Sequence, residues 1–145
     1  MNCNRKALVV GIDYYDAVCH LRGCVNDAKR MQSVLNRNED GSVNFAIKTM
    51  LASDKTTRIT RRQLKDAVEK LFSDDSEVAL LYVASHGYVD STGGYLVTSD
   101  VGAGDEGLSM DDVLNLANNS PAKSRVIILD CCHAGKMGNV ANLQN

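Results

Sequence analysis

The chain has 145 residues, of which 44% are hydrophobic and 23% charged, and its net charge is −2. That length suits one ordinary domain with a core of its own, the composition excludes a disordered or fibrous chain, and the near-balanced charge gives no basic field for nucleic acid. Arg5-Lys6 leads into an apolar run, Ala7 to Ile12, that is too short for a secretion signal or a membrane span. Cys3, Cys19, Cys24, Cys131 and Cys132, an odd number without the spacing of a disulfide framework, suit a reducing compartment. The expectation is a cytoplasmic protein that contacts neither membrane nor nucleic acid directly.

Lys6 to Ile12 is continuously apolar after its lysine, the pattern of a strand covered by helices on both faces. From Gly23 onward Val25, Ala28, Met31 and Leu35 recur every three or four residues, which predicts a helix. A second strand is expected over 44–51. Thr60-Arg61-Arg62-Gln63 has the form of a capping box, opening a second helix whose apolar face is Leu64, Ala67, Val68, Leu71 and Phe72. The strongest buried-strand signal, 77–84, runs straight into Ser85-His86-Gly87. Segments 91–94 and 102–107 read as glycine-rich loops around a short extended stretch at 95–98. Ser109-Met110-Asp111-Asp112 caps a third helix, and 125–129 is a last strand ending in Asp130-Cys131-Cys132-His133. Alternating strands and helices predict an α/β fold with parallel strand pairs, whose chemistry gathers at the carboxyl ends of the strands. His86 and Cys132, 46 positions apart (132 − 86), occupy two such ends.

A thiol with a pKa near ~8.5 is mostly protonated at neutral pH and gains from a nearby histidine. An imidazole titrating near ~6.5 can also protonate a leaving amine. Gly87 and Gly135 follow these two residues closely, and glycine lets a reacting carbonyl approach the backbone. The N–H groups of Gly87 and Cys132 are candidates for holding a developing oxyanion. Cys131-Cys132-His133 is not read as a zinc site, because three consecutive side chains cannot converge on one tetrahedral ion. The acidic run 73–77 reads as a solvated turn without the ligand spacing of a calcium loop. No metal or cofactor is predicted, and no role is assigned to His20 or His133.

Ser85-His86-Gly87 after one apolar strand and Asp130-Cys131-Cys132-His133-Ala134-Gly135 after another resemble the histidine and cysteine motifs of caspase-like cysteine peptidases. With Leu21-Arg22-Gly23-Cys24-Val25-Asn26-Asp27-Ala28 after the first strand, the chain is most similar to metacaspases and their bacterial relatives. The resemblance implies a caspase-haemoglobinase-like three-layer sandwich with a mostly parallel central sheet. It makes Cys132 the nucleophile, His86 the general acid/base, Gly87 with Cys132 the oxyanion hole, and Cys131 a bystander. It also puts Asp27 and Asp130 in the pocket for the residue before the scissile bond, where carboxylates would pair with arginine or lysine. Caspases proper typically have glutamine at the position of Asp130 and a basic pocket that selects aspartate.

Two features depart from the metacaspase pattern. Ala84-Ser85-His86-Gly87 stands where many metacaspases have Ser-Gly-His-Gly, so a pocket serine is replaced by Ala84, and Arg22 neighbours the expected pocket and is predicted to point away from it. The chain also ends 13 residues after Cys132 (145 − 132), and residues 1–145 are therefore expected to form a large-subunit portion whose small-subunit segment is absent. Expected partners are a protein or peptide substrate, that small-subunit segment, and a downstream sensor domain or regulatory protein in stress or defence signalling. Two alternatives stay open: an inactive caspase-like scaffold or switch module, and an aspartate-specific peptidase.

Overall fold

The apolar run after Lys6 becomes strand β1 (Arg5–Ile12), as its hydrophobic pattern predicts. In the computed structural model, which describes residues 4–102 and 105–132, β1 is followed by α1 (Cys24–Asn36), β2 (Ala46–Ala52), α2 (Arg61–Ser73) and β3 (Val78–Asp90). β4 (Gly93–Leu96), β5 (Leu108–Ser109), α3 (Met110–Asn118) and β6 (Ser124–Cys132) complete the order. The capping box of α2 forms as expected: Thr60 Oγ1 accepts the Gln63 N–H at 3.1 Å and Gln63 Oε1 accepts the Thr60 N–H at 2.9 Å. Ser109 caps α3 with a single bond, its hydroxyl accepting the Asp111 N–H at 3.1 Å.

The six strands form one mixed sheet in the order β2-β1-β3-β4-β5, with β6 also paired to β3. β2, β1, β3 and β6 are parallel, as α/β alternation predicts, while β3-β4-β5 is an antiparallel extension. β3 therefore does two jobs. From Val78 to His86 it lies parallel to β6, and from Gly87 to Asp90 it pairs antiparallel with β4. The strand expected to stop at residue 84 continues to Asp90, and half of the glycine loop expected at 91–94 is strand β4. A backbone ladder needs no apolar side chains, so the end of the hydrophobic run did not mark the end of the strand.

Helices cover both faces. On one face α1 lies over β1, β2 and β3, enclosing Ala7, Val9, Cys24, Ala28, Leu80, Tyr82 and Ala84. On the other, α2 and α3 cover a larger core that includes Leu8, Val10, Ile12, Leu64, Val68, Leu81, Val83 and Val113. Each fully buried Leu or Ile contributes about 1.5–3 kcal/mol of transfer free energy, so this layer supplies much of the stability. Gly11 lets α1 approach the sheet: a Cβ there would stand 2.6 Å from the Cys24 carbonyl oxygen and 2.8 Å from the Ala28 Cβ.

β6 is covered differently on its two sides. Ile127, Leu129 and Cys131 lie against the larger core, but Val126 and Ile128 on the alternate positions are each 37% exposed. Among the described residues β6 pairs with β3 alone. No helix among them is long and apolar enough to cross a membrane.

Candidate active site

The sheet ends where the chemistry-bearing residues begin. β1 leaves β3 after the Gly11–Ala84 pair, whereas β6 stays beside it for two more residues, so that His86 and Cys132 are the last register partners of the parallel β3–β6 ladder. Neighbouring strands lie about 4.8 Å apart, and two residues 46 positions apart in sequence thus meet at one strand end, as expected. The Cys132 side chain, His133 and Gly135 lie outside the described residues.

His86 is buried, 1% exposed, and is held by the loop that follows β1. Its Nε2 lies 2.8 Å from the Cys19 carbonyl oxygen, 67 positions away. A carbonyl can only accept, so Nε2 carries a proton, and in the neutral ring Nδ1 keeps its lone pair. Nδ1 is buried and has no hydrogen-bond partner among the described residues. The His86 backbone is fixed as well. Its N–H donates to the Tyr15 hydroxyl at 2.9 Å, and its carbonyl accepts the Val97 N–H at 3.0 Å and the Ser85 hydroxyl at 2.9 Å.

Tyr15 is the second component of this support, and nothing in the sequence pattern marked it. Its hydroxyl donates to the Ile12 carbonyl at 3.1 Å while accepting from His86, and its ring centroid lies 4.7 Å from that of the imidazole. Burial pushes this phenol well above its ordinary range, so the hydroxyl stays protonated and keeps its donation to Ile12. The loop around it is anchored by Asp13 and Tyr14 N–H groups donating to Ala52, by Leu21 N–H donating to Asp13, and by Asp16 N–H donating to Ser99. An Asp16–Arg58 ion pair and a His20 Nε2 contact to the Tyr15 carbonyl, 3.0 Å, tie its exposed side.

Asp13 organises the neighbouring helix. α1 opens at Gly23, which has no side chain to cap it, and Asp13 supplies the missing acceptors: Oδ1 takes the Cys24 N–H at 2.9 Å and Oδ2 the Val25 N–H at 3.4 Å. One carboxylate thereby fixes the start of α1 relative to the end of β1. This sets the position of Asp27, half-buried in the first turn of α1.

Asp130, next to the end of β6, is exposed and pairs in register with Ala84. Its Oδ2 accepts the Tyr82 hydroxyl at 3.0 Å. Burial first, then the hydrogen bond and charge of Asp130, then the charge of Asp27, push the Tyr82 phenol above its ordinary range. Both predicted pocket carboxylates therefore act on one buried hydroxyl. Arg22 is exposed. Gly87 is crowded on its core side, where an added Cβ would lie 3.1 Å from the Cys131 Cβ and 3.3 Å from its Sγ. Cys131 thus closes one side of Gly87, and a side chain there would require the cysteine to shift by a few tenths of an ångström. Of the neighbouring cysteines, Cys19 is exposed, Cys24 buried and Cys131 half-buried. Among the described residues no three His, Cys, Asp or Glu side chains gather as a metal site would need.

The family of the chain follows from comparison of its sequence with known proteins. The caspase-domain family profile matches residues 4–145. The chain is 32% identical to metacaspase-6 of Arabidopsis thaliana over 155 aligned positions, covering 97% of this chain and 40% of the relative. It is 30% identical to metacaspase-4 of the same plant over 97% of this chain and 36% of the relative. The figure is also 30% for metacaspase-1 of Schizosaccharomyces pombe, over 90% of this chain and 34% of the relative. The chain therefore spans less than half the length of these curated relatives. It belongs to the caspase family of peptidase domains and is related to the metacaspases.

Proposed function

We propose that this chain is the large-subunit portion of a cysteine endopeptidase that cleaves proteins after arginine or lysine through a thioester intermediate. The observation that carries the reading is the state of His86: Nε2 tied to the Cys19 carbonyl, Nδ1 buried with a free lone pair, and Cys132 as register partner. Nδ1 takes the Cys132 thiol proton. The thiolate attacks the scissile carbonyl, and the N–H groups of Gly87 and Cys132 stabilise the tetrahedral oxyanion. The Nδ1–H of the imidazolium then protonates the leaving amine, and the C–N bond breaks to leave the acyl group on sulfur. Water, deprotonated by the same Nδ1, hydrolyses the thioester and restores the thiol.

The Cys19 carbonyl favours this cycle because it stabilises the Nε2–H dipole more as the ring gains charge. It thus orients the imidazole as a carboxylate does in other triads. Asp27 and Asp130 provide the negative field for a basic side chain before the scissile bond. The assay is hydrolysis of fluorogenic peptides ending in Arg, Lys or Asp by the intact protein and its Cys132→Ala variant. Cysteine-dependent release after Arg or Lys supports the reading. Release after Asp would overturn the acidic pocket, and release that survives in Cys132→Ala would overturn the nucleophile.

A further inference from the structure

We propose that Tyr82 is a specificity-determining residue, whose buried hydroxyl orients the Asp130 carboxylate for the guanidinium of a substrate arginine. The inference deepens the proposed preference for basic residues and rests on it.

Tyr82 pairs in register with Ile128, and Asp130 is two residues further along β6, the diagonal neighbour that an aromatic side chain can reach. The direct register partner of Asp130 is Ala84, which is fully buried and has no polar side-chain atom. Tyr82 reaches along the strand past this small residue and donates to Asp130 Oδ2 at 3.0 Å. Only 3% of Tyr82 is exposed, whereas Asp130 is exposed, so the pair has a fixed end in the core and an open end toward solvent.

The direction of the hydrogen bond is set. The burial and the two carboxylate charges that hold the phenol above its ordinary range keep it protonated at any working pH, and a carboxylate can only accept. The Tyr82 proton is therefore committed to Asp130, which leaves the remaining carboxylate acceptors at fixed positions on the exposed side. Several acceptors at fixed positions suit a planar fork of N–H donors better than a compact ammonium, whose attraction depends mainly on net charge. The arrangement predicts cleavage after Arg in preference to Lys, and it assigns that preference to a hydroxyl on β3.

The test uses the intact protein as wild type, Tyr82→Phe, Asp130→Asn and the double variant. Reporter peptides differ only in Arg, Lys or citrulline before the cleaved bond. Wild type is expected to prefer Arg to Lys and to reject neutral citrulline. Tyr82→Phe should lower the Arg-to-Lys ratio of kcat/KM about tenfold, with the loss for Arg carried by KM. On the Asp130→Asn background the same change should have no further effect on the ratio. Both peptides are read on one preparation, so the folded fraction cancels from the ratio. A ratio unchanged in Tyr82→Phe, or a kcat lost equally for Arg and Lys, would overturn the assignment, as would an Asp130→Asn variant that keeps the wild-type ratio. A wild type that cleaves citrulline as well as Arg would instead overturn the acidic pocket, and the role of Tyr82 with it.

Discussion

The two flanks of β3 are built on different terms. On the β1 flank, a loop anchored by backbone hydrogen bonds to Ala52 and Ser99 brings a buried tyrosine and a carbonyl against His86. On the β6 flank, Val126, Ile128 and Asp130 are open to solvent, and Asp130 accepts from Tyr82. The difference separates two tasks. The proposed acid/base is positioned by the same contacts that stabilise the domain, whereas Asp130, proposed to read the substrate, sits where a side chain can change at little cost to folding.

Substitutions on the two flanks should break that comparison if it is wrong. The largest difference is expected between Leu81→Ala and Ile128→Ala. Leu81 is fully buried, and its truncation should cost about 2–5 kcal/mol in denaturant unfolding. Ile128, 37% exposed on the uncovered face, should cost less than about 1 kcal/mol. Similar losses would mean that the β6 face is covered in the folded protein.

Gly11→Ala comes next. Its Cβ would meet a backbone carbonyl oxygen at 2.6 Å, which cannot be relieved by a rotamer change, so α1 must move at a cost of about 1–3 kcal/mol. Because α1 carries Asp27, the variant should also weaken cleavage after basic residues.

Tyr15→Phe sharpens the comparison from the catalytic side. It leaves the His86 N–H without its acceptor and should cost about 1–2 kcal/mol of stability. Activity should fall about tenfold, in kcat rather than KM, because the imidazole is less well oriented. A loss confined to stability would reduce Tyr15 to a core residue.

The smallest effect is expected at the exposed Asp16–Arg58 pair. Hydrogen bonding to Arg58 holds the Asp16 carboxyl below the ordinary carboxylate range. A carboxyl whose pKa is lowered by folding adds stability above its unfolded pKa and loses it as pH falls through the folded one. Arg58→Gln should therefore reduce stability slightly near neutrality and converge with wild type in acid, an effect that salt should diminish in thermal melts.

Hydrophobic runs made β1, β3 and β6 legible, and the capping residues Thr60 and Ser109 marked the starts of two helices. The β3–β4–β5 extension was not legible, because Gly93 and Gly94 look like loop residues although they form ladder pairs with Asp90 and Val89. At the site, His86 and Cys132 were readable from strand ends and motif. Their support was not. The Cys19 contact uses a main-chain carbonyl, which no side-chain pattern encodes, and the Tyr15–His86 bond spans 71 positions. Asp13 and Tyr82 escaped for the same reason: each acts on a partner that only the sheet brings near.

The central claim, that His86 activates Cys132, is tested most directly by alkylation of the intact protein with iodoacetamide, read peptide by peptide in a mass spectrometer. A cysteine-containing peptide added to each reaction serves as the reference. Wild type should modify Cys132 at least about tenfold faster than His86→Gln at neutral pH, with the rate of the reference peptide unchanged between the two. Equal rates at Cys132 in wild type and variant would contradict the dyad.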